Sequence, residues 1–283
     1  MNNAILLISC NDQKGITAAV TNFVYQNNGN IVSSDQHIDE QSNTFFMRIE
    51  WSLDGFNLKS EEIDNIFRPL AEQFKMYYSL FFTGKIQKVA VFVSKHLHCL
   101  HDLLLRHSQG ELSCEIPLIV SNHPDAKKVA DIFGVAFEEF NITAENKAEE
   151  EKRQIDLLQN RGIDVVVLAR YHQILTLQFI QNFKNRIINI HHSFLPAFAG
   201  GNPYAQAYKK GVKIIGATSH YVVEELDAGP IIDQDTVCIS HRDALQDLVR
   251  KGQDLEKIVL SRAVRWHLQH KILLYDNKTV VFD

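Results

Sequence analysis

Residues 164–169 read Asp164-Val165-Val166-Val167-Leu168-Ala169. An apolar run without polar alternation is the pattern of a parallel strand buried on both faces. Parallel neighbours need crossover connections, so the flanking segments should alternate strand and helix. Toward the N-terminus, strands fit 89–94 and 116–120, and helices fit a Leu-rich stretch ending at His107, residues 126–133 and residues 144–159. Toward the C-terminus, a short helix fits 175–183 and a strand fits 186–191. Residues 214–223 and 229–239 have no full helix between them and should pair antiparallel at the sheet edge. A helix over 244–270 and a hairpin of 272–275 with 279–282 complete the chain. The expected fold here is an open, mostly parallel Rossmann-like sheet covered on both faces.

Before residue 83 the rhythm differs. An apolar run at 4–10 is followed by the turn Asn11-Asp12-Gln13-Lys14-Gly15. Ile16, Ala19, Val20, Phe23 and Val24 then recur at helical spacing as far as Gly29. Two strand-like runs, 30–39 and 43–53, precede a helix over 60–74 with Ile63, Ile66, Phe67, Leu70 and Ala71 on one face. Pro69 inside that helix is expected to kink it. A strand at 76–82 completes a βαββαβ order, a ferredoxin-like unit. The class is therefore α/β with two domains, 1–83 and 84–283, joined by a short polar link.

The 283 residues carry 29 Lys+Arg against 34 Asp+Glu, a net charge of −5, which leaves no electrostatic footprint for nucleic acid or an anionic membrane. No apolar stretch approaches the ~20 residues of a spanning helix. Met1-Asn2-Asn3 and the short run after it lack the basic start and apolar length of a signal peptide. Cys10, Cys99, Cys114 and Cys238 are scattered with no C-x-x-C pair, as in a reducing compartment. A cytoplasmic location is expected. The count that stands out is 13 His.

Candidate chemistry concentrates in Asn189-Ile190-His191-His192-Ser193-Phe194-Leu195-Pro196. Alternate strand residues share a face, so Asn189 and His191 point one way near the C-terminal end of a strand. That is the edge where open α/β sheets bind ligands. An amide donor beside an imidazole suits acyl chemistry, the amide for an oxyanion and the ring for a proton. The same pair also reads as ordinary surface groups on a strand end. In Leu226-Asp227-Ala228-Gly229-Pro230, Asp227 either reaches the histidine and orients a water or serves the turn alone. His96, His98, Cys99 and His101 lack a zinc spacing and read as partly solvated side chains at a helix start rather than a metal site. No Walker or dinucleotide glycine motif and no nucleophile elbow is present. Gly200-Gly201-Asn202-Pro203 reads as a mobile loop or a plain connector, and 148–153 as a solvated, ion-paired helix face.

Asn189-x-His191 and Leu226-Asp227-Ala228-Gly229, together with Gly216-Ala217-Thr218-Ser219-His220-Tyr221, resemble the folate-dependent formyltransferase family from about Lys88 onward. The family's catalytic Asn, His and Asp fall on Asn189, His191 and Asp227. The N-terminal unit is similar to an ACT domain, an amino-acid-sensing module, with Asp12-Gln13-Lys14-Gly15 at its ligand loop. An ACT unit joined to this catalytic domain resembles the family's deformylating members, as do Phe45-Phe46-Met47-Arg48 and His98-Cys99-Leu100. The resemblance implies hydrolysis of 10-formyltetrahydrofolate to tetrahydrofolate and formate, supplying formate for purine synthesis and balancing the one-carbon pool. It implies a folate substrate contacting Ile174, Leu175, His220 and Glu225, with no cofactor and no metal. It also implies a small amino-acid effector at Asp12 and Gly15, a homodimer or homotetramer, and neither nucleic acid nor membrane as partner. The alternative is formyl transfer to an amine such as glycinamide ribonucleotide. Such an enzyme must hold its acceptor's phosphate, usually on a glycine-rich loop after the first strand, where this chain has Ser94-Lys95-His96-Leu97. Two departures from the deformylating members are His172 in Tyr171-His172-Gln173 and Ala199 in Phe198-Ala199-Gly200-Gly201.

Overall fold

The computed structural model describes residues 2–197 and 203–283, and the chain divides into two compact units. The first holds β1 (Asn3–Asn11), α1 (Ile16–Gln26), β2 (Asn30–Asp39), β3 (Thr44–Ser52), α2 (Ser60–Phe74) and β4 (Tyr77–Phe82). Its antiparallel sheet runs β2-β3-β1-β4, with β1 between two partners. Side chains alternate across the pleat, so Ala4, Leu6, Ile8 and Cys10 meet the helix side, where Phe23 and Phe67 pack edge to face at 5.2 Å. Leu7 and Phe46 point the other way, onto Leu273 and Phe282. That second layer explains the absence of polar alternation in β1. It also groups residues 269–275 and 280–283 with this unit, where the sequence reading had placed them in the second domain. Buried Arg48 ties them down, donating to the carbonyls of Gln269 (3.3 Å) and His270 (3.1 Å).

The expected kink at Pro69 does not divide α2, which runs unbroken to Phe74. Pro69 lies on the exposed face, where water can satisfy the carbonyl left without a partner, while Ile63, Phe67, Ala71 and Phe74 hold the buried face. Ile66 is outside that face and 52 % exposed.

The second unit continues with β5 (Gln87–Val93), α3 (His98–Ser108), β6 (Cys114–Ser121), α4 (Lys127–Phe133), β7 (Ala136–Glu139), α5 (Lys147–Asn160) and β8 (Val165–Leu168). Then follow α6 (Leu177–Asn182), β9 (Ile187–His191), α7 (Pro203–Lys210), β10 (Ile214–Tyr221), β11 (Ile231–Cys238) and α8 (Leu245–Leu268). A hairpin, β12 (Ile272–Tyr275) and β13 (Lys278–Val281), ends the chain. The seven-stranded sheet has the order β11-β10-β9-β8-β5-β6-β7, parallel from β9 to β7, with β10 and β11 antiparallel at the edge. β7 was not anticipated, being four residues long with two glutamates. The Gly200-Gly201 loop and Ala199 lie outside the described residues. No described helix is long and apolar enough to cross a membrane.

The chain leaves β5 toward β6 and returns on the far side as β8, so the strand order reverses between β5 and β8. Such a switch point opens a crevice at the C-terminal strand ends. Phe92 on β5 anchors this region, fully buried with Tyr171 and Phe179 edge-on at 5.2 and 5.8 Å. Replacing Phe92 with Ala is expected to destabilise the fold by about 3–5 kcal/mol in urea denaturation. A loss below about 1 kcal/mol would contradict this packing.

Candidate functional site

The site is set by how β9 and β10 align. Their antiparallel register places His220 opposite Asn189 and Thr218 opposite His191. Asn189 Nδ2 lies 3.1 Å from His220 Nε2, and His220 Nδ1 is 2.9 Å from the Tyr221 carbonyl. A carbonyl only accepts, so Nδ1 carries the proton and Nε2 accepts from the Asn189 amide. After β10 the chain turns back through residues 222–230. Asp227 sits there with φ +56°, and its Oδ2 lies 3.2 Å from His191 Nδ1. A Cβ on Gly229 would stand 1.7 Å from the Tyr221 carbonyl oxygen, so only glycine permits this close return. The Asp-Ala-Gly turn thus has a backbone reason and a side-chain contact together.

These groups line one cavity of about 310 Å³. Asn189, His191, Asp227, Ile174, Leu175, His220 and Glu225 are all on its wall. Asp12 and Gly15 belong to the first unit instead. There the Asp12 amide donates to Asn43 O at 2.9 Å, and Gly15, with φ +97°, precedes α1. Burial alone would raise the Asp227 carboxyl. The hydrogen bond and charge of His191 outweigh that and hold it well below the usual carboxylate range. His191 is 6 % exposed, and its Nε2 is buried with no partner among the described residues.

Sequence reasoning missed two parts of the surroundings. Arg170 follows β8 in a left-handed conformation, φ +66°, and lines the cavity at 9 % exposure. Its one sequence signal was a charged residue directly after the most apolar strand. Glu151 falls in the run read as solvated, yet it is 2 % exposed and accepts from the Thr176 amide (2.9 Å) and hydroxyl (2.5 Å). That carboxylate docks the 171–176 loop carrying Ile174 and Leu175.

His98, at the start of α3 and half-buried, also has a fixed partner. Its Nε2 lies 2.8 Å from Oε2 of Glu256, which is 1 % exposed. Arg170 Nε approaches the same oxygen at 3.3 Å, and the Tyr204 hydroxyl donates to Oε1. A Cβ on Gly252 would overlap the Tyr204 hydroxyl, so the bare helix position admits that bond. His98, Cys99 and Glu256 offer three metal-ligand atoms within 4.8 Å. The guanidinium disfavours a cation there, Glu256 is already hydrogen-bonded by His98 and Tyr204, and burial pushes the Cys99 thiol well up, away from the thiolate a metal needs.

The chain matches the formyl transferase family model over residues 87–264 and the ACT domain model over 4–71. It is 56 % identical over 279 residues to a formyltetrahydrofolate deformylase of Synechocystis, covering 99 % of this chain and 98 % of that one. It is 46 % identical to the Bacillus subtilis formyltetrahydrofolate deformylase, covering 98 % and 93 %. A crystal structure of a formyltetrahydrofolate deformylase from Pseudomonas syringae pv. tomato superposes with TM-score 0.97 at 43 % identity, over 100 % of this chain and 95 % of that one.

His192, beside His191 with ring centroids 5.2 Å apart, gives the site a pH signature. Burial first, and Arg170 second, lower its pKa to about 3. An unfolded histidine takes its proton near ~6.5, so unfolding is favoured as pH falls from there toward the folded value. Between pH 7 and 5 this residue should cost the native state about 2 kcal/mol. Urea midpoints should therefore fall less over that interval in H192Q than in the parent chain. Parallel pH dependences would show that the ring is not held neutral.

Proposed function

The chain belongs to the formyltetrahydrofolate deformylase family, which hydrolyses 10-formyltetrahydrofolate to tetrahydrofolate and formate, and we propose that Asn189, His191 and Asp227 carry this reaction here. The observation that supports the assignment is the His191 Nδ1–Asp227 Oδ2 contact of 3.2 Å on the same cavity wall as Asn189. Asp227 accepts from Nδ1 and fixes the imidazole, so Nε2 faces the substrate. When water adds to the formyl carbon, the carbonyl oxygen becomes an oxyanion. The free N–H of Asn189 and protonated His191 Nε2 stabilise it. Collapse breaks the bond between the formyl carbon and N10, and N10 takes a proton through His191. The water oxygen leaves in formate.

His220 is a positioning residue in this reading, because it accepts from Asn189 and so turns the amide. The pterin lies against the backbone of Ile174 and Leu175 and against the 223–227 loop with Glu225. The reaction takes no cofactor. The first unit binds a small amino-acid effector at the β1–α1 turn through Asp12 and Gly15 and supports a homodimer or homotetramer. A cytoplasmic location agrees with the folate substrate.

Purified protein should release formate from 10-formyltetrahydrofolate with no acceptor amine present. His191→Ala and Asn189→Ala should each lower turnover by about two orders of magnitude or more while the fold is retained. If H191A keeps more than roughly a tenth of the parent turnover, the roles are misassigned. Formyl transfer to added glycinamide ribonucleotide without formate release would favour the amine-transfer alternative.

A further inference from the structure

Hydrolysis creates a small anion inside a buried cavity, and that cavity contains a buried cation outside the roles assigned above. Arg170 is 9 % exposed, and no described residue accepts a hydrogen bond from either of its terminal nitrogens. Among the described residues its one anionic partner is Glu256, met through Nε at 3.3 Å without a hydrogen bond from that N–H. The residue adopts φ +66°, a backbone conformation that costs a non-glycine residue energy and persists where surrounding structure enforces it. That enforcement is visible at the β5–β8 switch point. The Ser94 amide donates to Arg170 O at 3.2 Å, and Ser94 Oγ accepts from the His172 amide at 3.0 Å.

We propose that the buried part of the cavity is a carboxylate subsite in which the terminal nitrogens of Arg170 receive the formate product, with His192 and His172 as its walls. The inference rests on the deformylase reading of the same site. In the hydrolysis the C–N10 bond breaks and the water oxygen stays on the formyl carbon. One water proton passes to N10 and the other is lost as formic acid ionises, leaving formate beside the guanidinium. Burial first and the charge of Arg170 second hold His172 and His192 below the ordinary imidazole range, so Arg170 supplies the positive charge there. The same chemistry could serve a glutamate carboxylate on the folate tail. Arg170 is only 9 % exposed, however, whereas Ile174 and Leu226 on the same wall are 60 % and 61 % exposed and mark the side open to a long tail. Glu256 competes for the guanidinium, and a three-atom anion has little binding energy to offer, so the affinity should be about millimolar or weaker. Weak holding suits a product that must leave.

The test measures inhibition of hydrolysis by sodium formate, and line broadening of carbon-13 formate, in the parent chain, R170G and E256Q. Glycine accepts φ +66° freely, so R170G removes the guanidinium without adding backbone strain. Formate inhibition should weaken at least about tenfold in R170G and strengthen several-fold in E256Q, where the guanidinium loses its anionic competitor. Unchanged inhibition in R170G overturns the proposal. Equal weakening in both variants also overturns it, because it signals a structural role for the pair. KM for 10-formyltetrahydropteroate, which lacks glutamate, separates the tail. If R170G raises KM for the glutamate-bearing substrate alone, Arg170 binds the tail and the formate assignment is wrong. A parent chain that never releases formate would instead sink the proposed function, a result distinct from all of these.

Discussion

The site depends on a register. Because β9 and β10 pair with His220 opposite Asn189, the amide and the imidazole meet on the cavity side. A slip of one residue would turn both to the other face. The pairing is locked from outside by Thr218. Its hydroxyl donates to Ser193 O at 2.8 Å and accepts from the Leu195 amide and from Gln234 Nε2. The segment leaving β9 is thereby fixed to β10, and His191 with it. Gly229 completes the constraint, since any side chain there would push the Asp227 turn off the Tyr221 carbonyl.

A second constraint is the burial of Glu256 on α8. A carboxylate at 1 % exposure is tenable only with donors on it. His98 comes from the start of α3, Arg170 from the end of β8 and Tyr204 from α7, so one charge joins four elements of the second unit. Burial would raise its pKa, and the histidine bond and guanidinium charge outweigh that and keep it lowered. Replacing such a network with apolar side chains would often be neutral for stability. Its effect on the cavity is more specific, because the Glu256 charge lies on the Nε side of the guanidinium and leaves the terminal nitrogens uncommitted.

How much of this was legible in the sequence follows from the range of each signal. Strand periodicity is local, so the apolar run at 164–169 and the shared face of Asn189 and His191 could be read directly. The βαββαβ order of the first unit followed from spacing in the same way. Asp227 required a resemblance, because Asp and Gly in a turn carry the same letters whether or not the carboxylate reaches a histidine. Glu151 and Arg170 could not be read. Their partners are Thr176, after a strand and a loop, and Glu256, near the other end of the unit, so their burial is a tertiary event. A positive φ at Arg170 leaves no trace in residue type. β7 was missed because a short edge strand has little apolar pattern to show.

The two histidines that flank Asp227 are not equivalent, and the hydrogen bonds explain why. Neutral His220 spends its only N–H on the Tyr221 carbonyl, so its Nε2 cannot also donate to Asp227, and the separation there is 3.7 Å. His191 stands at 3.2 Å with Nδ1 free to donate. The carboxylate is therefore committed through Oδ2 to His191, which leaves Oδ1 as an acceptor facing a cavity where water is the proposed nucleophile. An enzyme that hydrolyses a formamide needs one acceptor for the water and one for the imidazole, and a single aspartate with inequivalent neighbours can provide both. His220 then orients the amide and leaves that second oxygen open by withholding a proton from it.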